Sequence, residues 1–405
     1  MTSSKDPNTI TIAVMSDLHC HHSTSFPKGA GKGYFKDTYL ISDDLTSDHH
    51  PVKSLISLIK SEGISTNIML TPGDLTNKVD TQGFISGWEA IKKVSEALDV
   101  DDIYATLGNH DVDSRSDGDS FKTAKNLEDI FPFKPEHCNE GGNFWLDGFC
   151  FIEEDNYRLL IINSTLHHLN ETEAKRGKIE QSQIIKIAKY LEENKDEKIK
   201  LAMCHHHPIQ HERHHLGSDD LMINGSTLIE KLNEFNFDLL IHGHKHDAWI
   251  RYSQGGNHTI PVFAAGSFSA ITNHMITNSR NTFHIIEVKK SSDNNSTGII
   301  KTWEYLYNYG WVAADSGDYF FPYKTGFGYR GDLDKLTDKI VSVIEAAPGN
   351  KIVWGKFIES VPEIENLIPI DSKIIMTKLL NFGIQIAPSI TAKPEIIGKI
   401  YNPNH

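Results

Sequence analysis

Apolar residues along this chain fall into two alternating patterns, short runs and longer stretches that repeat at three and four. The runs at 10–16, 68–70, 103–107, 199–203 and 239–241 predict β-strands, and the stretches at 52–60, 88–98 and 181–193 predict amphipathic helices between them. Strands alternating with helices define an α/β fold class. Two more strands are expected at 260–264 and 282–289. Beyond them Trp303, Tyr305, Tyr307, Tyr309 and Trp311 repeat at period two and so share one face of an extended segment. Packing on the sheet accounts for such a face, with a substrate platform or an oligomer contact as the alternative.

From 313 to 332 the chain turns glycine-rich and aromatic without periodicity, as a linker would. A helical pattern returns with Leu333, Leu336, Ile340, Val343 and Ile344 until Pro348-Gly349 stops it, and further helices are expected at 352–360 and 372–381. The expected organisation is a domain at 1–312, a linker at 313–332, and a small, mainly helical domain at 333–405 that resembles a winged helix. The irregular stretch 20–48 contains Gly29-Ala30-Gly31-Lys32-Gly33, which lacks the spacing of a phosphate-binding loop and reads as a loop near the first candidate residues.

Five short segments carry the chemistry: Asp17-Leu18-His19, Gly73-Asp74, Gly108-Asn109-His110-Asp111, His206-His207-Pro208 and Gly243-His244-Lys245-His246. Each follows a predicted strand, which places it in a strand-end loop, where α/β sheets bind ligands. Asp, Asn and His offer oxygen and imidazole donors, the set that suits manganese, iron, zinc, cobalt or nickel rather than calcium or magnesium. Their order and shared donor chemistry spell a two-metal hydrolase. In Asp17-x-His19 and His244-x-His246 the alternate residues of an extended backbone project to one side, so each pair converges on one point. Glycine before Asp74, Asn109 and His244 permits close approach of the backbone. His110 follows Asn109 and so points away from it, beside the metals rather than on them. His205, His206 and His207 can each supply a ligand on this reading. His242 reads as a packed core histidine, and His211, His214 and His215 read as solvent-exposed.

Together the five segments resemble the calcineurin-like metallophosphoesterase family, in that family's order, over residues 10 to about 311. The resemblance implies a four-layer αββα sandwich of two mixed β-sheets. It implies that Asp17, His19 and His246 hold one divalent ion, that Asn109, His206 and His244 hold a second, and that Asp74 bridges them through its two oxygens. The family pattern His-x-Pro selects His206, leaving His207 for the surroundings or the substrate and His205 as structural. It makes His110 the group that protonates the leaving oxygen, with Asp111 orienting its ring.

The second segment separates branches of the family. Gly73-Asp74-Leu75-Thr76-Asn77 lacks the arginine of protein Ser/Thr phosphatases, and Asn77 stands where purple acid phosphatases carry a tyrosine ligand. What remains is similar to the bacterial cyclic-nucleotide phosphodiesterase-like branch.

Charge and composition narrow the partners. A formal net charge of -14 over 405 residues opposes a long, nonspecific grip on nucleic acid, yet it leaves room for a small anionic substrate drawn to local metal charge. No run is long enough to cross a bilayer and no signal peptide is visible, so a cytoplasmic location is expected. The four cysteines, Cys20, Cys138, Cys150 and Cys204, are too few and scattered for a disulfide framework and read as structural thiols. A phosphodiesterase acting on a cyclic nucleotide or other small diester is therefore expected. The alternatives are a nuclease whose C-terminal domain contacts nucleic acid, and a metal-bound sensor or scaffold whose C-terminal domain recruits a protein partner.

Overall fold

The computed structural model describes residues 6–22, 38–40, 50–113, 122–126, 141–168, 174–211, 220–254, 258–271, 280–291, 295–314, 321–390 and 393–400. The chain divides into two compact units, Met1–Ile285 with Glu304–Val312, and Ile286–Trp303 with Ala313–His405. Most of 20–48, together with His214, His215 and Cys138, lies outside the described residues.

The first unit opens with β1 (Thr9–Val14), α1 (Pro51–Glu62), β2 (Ile68–Thr71), α2 (Thr81–Leu98), β3 (Ile103–Ala105) and the short α3 (Lys122–Asn126). It continues with β4 (Phe149–Glu153), β5 (Tyr157–Ile162), α4 (Gln181–Glu193), β6 (Ile199–Met203), α5 (Gly225–Glu234), β7 (Leu239–His242), β8 (Ala248–Tyr252) and β9 (Pro261–Ala265). Strands β10 (Thr282–Lys290) and β11 (Ser296–Leu306) pass between the units, and β12 (Gly310–Ala313) follows.

Two mixed sheets result. One runs β12-β11-β10-β1-β2-β3, with β1, β2 and β3 parallel. The other runs β4-β5-β6-β7-β9-β8, parallel from β5 to β9 and antiparallel at both edges. Every residue of β2, β5, β6 and β7 is buried, which is why these strands are mostly apolar rather than alternating, with Arg158 of β5 and Lys200 of β6 as buried exceptions. Helices α4 and α5 cover the second sheet through Ile184, Ile187, Leu191, Leu228 and Leu232, packed on Phe151, Leu160 and Leu240. The sheets meet where the Thr106 hydroxyl donates to the Ile162 carbonyl at 2.8 Å and the Tyr104 and Tyr157 hydroxyls lie 3.3 Å apart.

Helix α2 starts seven residues before the predicted onset at 88, capped by the Asp80 carboxylate on the Gln82 amide. Its first turns hold Gly83 and Gly87, poor helix formers that mask the periodicity. A Cβ at Gly83 would overlap the Cys20 carbonyl, so the glycine lets the helix lie directly against the chain that follows His19.

In the second unit β13 (Lys324–Phe327) pairs with β11. It is followed by α6 (Leu333–Ala346), β14 (Lys351–Val353), α7 (Trp354–Ser360), α8 (Pro369–Asn381), β15 (Ile384–Ala387) and β16 (Ile396–Lys399). The helix expected at 352–360 begins two residues later, because Ile352 and Val353 pair instead with Ile397 and Ile396. The three helices and the antiparallel sheet β14-β16-β15 share a core of Leu336, Ile340, Phe357, Ile375, Leu379 and Ile397. No helix among the described residues is long and apolar enough to cross a membrane. Cys20 and Cys204 are buried and free, whereas Cys150 is disulfide-bonded and so departs from its reading as a thiol.

Candidate metal centre

Loops after β1, β2, β3, β6 and β7 bring the five segments together within the first unit. Asp17, His19, Asp74, His244 and His246 all adopt positive φ, between 48° and 72°. A non-glycine residue there costs on the order of 1–2 kcal/mol, and such strain concentrates where surrounding structure holds side chains in a working position. The two x-spaced pairs therefore converge because the chain folds back in left-handed turns, not because an extended backbone alternates. Glycine permits the crowding: a Cβ at Gly108 would overlap Asp74 Oδ1, and one at Gly243 would overlap Asp17 Oδ2.

Two donor groups emerge. In the first, His19 Nε2 lies 2.9 Å from His246 Nε2 and 3.4 Å from Asp74 Oδ2, and His246 Nε2 lies 3.2 Å from Asp17 Oδ1. In the second, Asn109 Oδ1 lies 3.1 Å from His205 Nε2 and 2.9 Å from His244 Nδ1, and His205 Nε2 lies 3.4 Å from Asp74 Oδ2. Donors about 2.1 Å from a shared ion lie about 3.0 Å apart at a right angle and about 3.4 Å apart at the tetrahedral angle, so both groups have the spacing of a first-row metal site. The same Asp74 oxygen, Oδ2, faces both groups, while Oδ1 accepts the His110 amide at 2.7 Å. Asp74, expected to bridge the two ions, thus stands between the groups through Oδ2.

His205, not His206, joins the second group. His205 Nδ1 donates to the Pro72 carbonyl at 2.8 Å, which leaves Nε2 aimed at Asp74 and Asn109. Likewise His244 Nε2 donates to the Lys175 carbonyl at 3.1 Å, which leaves Nδ1 for the site. The His206 ring is close enough to be grouped with His205 and His244 by distance. Both its nitrogens are engaged elsewhere, Nδ1 with the Ser164 hydroxyl at 2.8 Å and Nε2 with the Ala174 carbonyl at 2.9 Å, so no lone pair is spare for an ion. On these contacts His205, rather than the expected His206, presents a nitrogen to Asp74 and Asn109, while His206 stays within the same cluster of histidines.

Electrostatics follow the same division. Burial opposes charge on His205, yet Asp74 beside it raises its pKa to about 9, so in the ion-free protein a proton occupies the face turned to Asp74. Burial opposes ionisation of Asp74, yet His205 and His110 hold it well below the usual carboxylate range. Burial, aided by neighbouring histidines, keeps His19, His206 and His244 neutral.

His110 sits edge-on to His19 at 4.5 Å between ring centroids. Its Nδ1 meets Asn77 Oδ1 at 3.0 Å, not Asp111. The Asp111 carboxylate instead accepts the Thr76 amide at 2.9 Å and the Gly108 amide at 2.8 Å, where burial and the Asp74 charge raise its pKa to about 8. Asp111 thus fixes the loops rather than the ring, and Asn77, which the sequence offers only as a branch marker three positions after Asp74, is the partner of the His110 ring. His207 faces Asp220 at 3.3 Å, and Lys245 is ion-paired to the same carboxylate. His242 is buried as expected, whereas His211, expected at the surface, is buried with Nε2 at 3.2 Å from the Asp247 carbonyl.

Buried neutral histidines give the protein an acid-sensitive fold. Burial holds His168 and His284 at about 3, against about 6.5 in an unfolded chain. Between those values the unfolded state binds more protons, so stability falls as pH drops. The two together contribute a slope approaching about 2.7 kcal/mol per pH unit. His205 acts oppositely, its contribution being complete below about 6.5 and lost as pH rises through about 9. Chelator-treated protein should lose thermal stability steadily from pH 6.5 to 5; a flat melting temperature over that range would contradict the assignment.

The chain belongs to the calcineurin-like phosphoesterase family, whose model matches residues 10–248. A second model, described as wHTH-Calcineurin_assc, matches residues 325–381 in the second unit. No curated protein matches the chain. Among solved structures it is similar to purple acid phosphatase PPD1 from yellow lupin (Lupinus luteus) seeds, at 13% identity and TM-score 0.47, over 73% of this chain and 51% of that one. It is also similar to GAP50, the anchor in the inner membrane complex of Plasmodium, at 12% identity and TM-score 0.40, over 74% of this chain and 86% of that one. A third is a single mutant of Vps29 from Entamoeba histolytica, at 10% identity and TM-score 0.30, over 76% of this chain and all of that one. The chain spans about half the length of the lupin protein.

Proposed function

We propose that this protein is a metal-dependent phosphodiesterase that hydrolyses a cyclic nucleotide or another small phosphodiester, as in the bacterial cyclic-nucleotide phosphodiesterase-like branch. The observation that carries this reading is the pair of donor groups sharing Asp74 Oδ2. Asp17, His19, Asp74 and His246 would hold one divalent ion, and Asp74, Asn109, His205 and His244 the other. When bound, two ions of the manganese, iron, zinc, cobalt or nickel class supply Lewis acidity and hydroxide at neutral pH.

The remaining chemistry belongs to the chain. With Nδ1–H donated to Asn77, His110 presents Nε2 as the nitrogen that must take up a proton before protonating a departing alkoxide, an uptake that burial opposes by lowering its pKa. His110→Ala should lower kcat for alkyl leaving groups by roughly a hundredfold or more and for p-nitrophenolate far less. Equal losses for both would remove the acid role. Asn77→Ala should act in the same direction with a smaller effect.

Charge in the second unit favours a small substrate. Across Ile286–Trp303 and Ala313–His405 twelve lysines and Arg330 are balanced by thirteen carboxylates. Lys339, Lys378 and Lys399 are paired to Glu363, Asp334 and Glu345. A nucleic-acid contact rests on clustered, available cations, so this balance supports the diesterase over the nuclease. The test is a parallel assay of full-length protein on cyclic mononucleotides, cyclic dinucleotides, single-stranded DNA, RNA and phosphomonoesters. Turnover concentrated on small diesters is expected, and turnover confined to polynucleotides or monoesters would overturn the reading.

A further inference from the structure

The period-two aromatic run divides in space. Tyr305 and Trp311 are buried, whereas Tyr307 and Tyr309 stand 64% and 81% exposed at the turn between β11 and β12. The buried members form a ladder of rings. Phe268 stacks on Trp311 at 5.0 Å, Trp311 meets Tyr305 at 5.5 Å, Tyr305 meets Tyr39 at 5.6 Å, and Tyr39 stacks on Tyr307 at 5.3 Å with planes 26° apart.

The inner end of this ladder is fastened to the metal-centre loop. The Phe268 amide donates to the Ser16 carbonyl at 2.7 Å, and the Thr38 and Ser269 hydroxyls both donate to the Leu18 carbonyl, between Asp17 and His19. Tyr39 follows Thr38 directly, and its amide donates to the Ser269 carbonyl at 2.9 Å. Tyr39 and Tyr307, far apart in sequence, are thus held nearly parallel by a rigid buried stack that begins beside two candidate ligands. A core requires no such arrangement at its exposed end, where a largely exposed ring lowers rather than raises the apolar area buried.

We propose that Tyr307, backed by Tyr39, is a stacking subsite for the nucleobase of a nucleotide diester whose phosphate lies at the metal centre. The inference rests on the phosphodiesterase reading and narrows its substrate to nucleotides. Base–aromatic stacking is tolerant of base identity and worth about tenfold in affinity for each ring. Stacking of this kind selects on the aromatic ring of the ligand rather than on its charge.

Two chromogenic diesters with one leaving group separate the subsite from the chemistry: the p-nitrophenyl ester of thymidine 5′-monophosphate and ethyl p-nitrophenyl phosphate. Tyr307→Ala should raise KM about tenfold more for the thymidine ester than for the ethyl ester, with Tyr307→Trp restoring the difference. Equal changes for both esters would overturn the subsite. A second readout requires no turnover: adenosine binding to metal-free protein, followed by saturation-transfer NMR. Adenosine should bind wild type and be weakened in both Tyr39→Ala and Tyr307→Ala. No binding to wild type, or binding unchanged in both variants, would overturn it. Adenosine bound through these tyrosines without hydrolysis of either ester would uphold the subsite and defeat the phosphodiesterase reading alone.

Discussion

Asp74→Ala should reduce phosphodiester hydrolysis by roughly a thousandfold or more and abolish tight binding of both ions, because its Oδ2 faces both donor groups. The carboxylate is buried, and burial alone would discourage its charge; His205 and His110 keep it ionised. Replacement by alanine therefore leaves the second group without a carboxylate and the first with Asp17 alone to offset an ion's charge. Asp74→Asn separates charge from shape, since an amide oxygen at Oδ1 still accepts the His110 amide. The asparagine variant should fold and still lose the ions. Retention of two ions by folded Asp74→Asn would show that Asp74 does not join the groups.

The second large effect distinguishes neighbouring histidines. His205→Ala should remove one ion per chain and lower kcat/KM by at least about a hundredfold, since His205 Nε2 faces both Asp74 and Asn109. His206→Ala should keep both ions and lose about 2–4 kcal/mol of stability, because it deletes a fully buried ring bonded at both nitrogens. Metal content by plasma mass spectrometry, beside thermal melts of the same variants, decides between them. The reverse pattern would restore His206 as the ligand.

These predictions mark how far the sequence could be read. Strands at Ile199–Met203 and Leu239–His242 and the helix at Gln181–Glu193 were legible because strands buried on both faces leave short, mostly apolar runs, and a helix on a sheet leaves a repeat of three and four. Asp17, His19, Asp74, Asn109, His244 and His246 were legible as a set because each closes a strand beside a characteristic neighbour. The choice of His205 was not, because it depends on where the chain leaves β6 and which carbonyl each ring meets. Pro72 and Ala174, far away in sequence, decide that. The partner of the His110 ring was illegible for a similar reason: the carboxylate next to His110 in sequence satisfies two loop amides, while the amide of Asn77, 33 positions away, reaches the ring. Alternation also failed for the aromatic run, because the chain turns at Tyr307–Tyr309 and the shared face ends there.

The shared-oxygen centre is tested most directly by returning manganese to chelator-stripped protein while counting bound ions and measuring hydrolysis of bis(p-nitrophenyl) phosphate. Two ions should bind per chain, with activity absent in the stripped protein and returning as the second site fills. Activity that survives chelation, or that is complete with one ion bound, would contradict a two-metal centre built on Asp74.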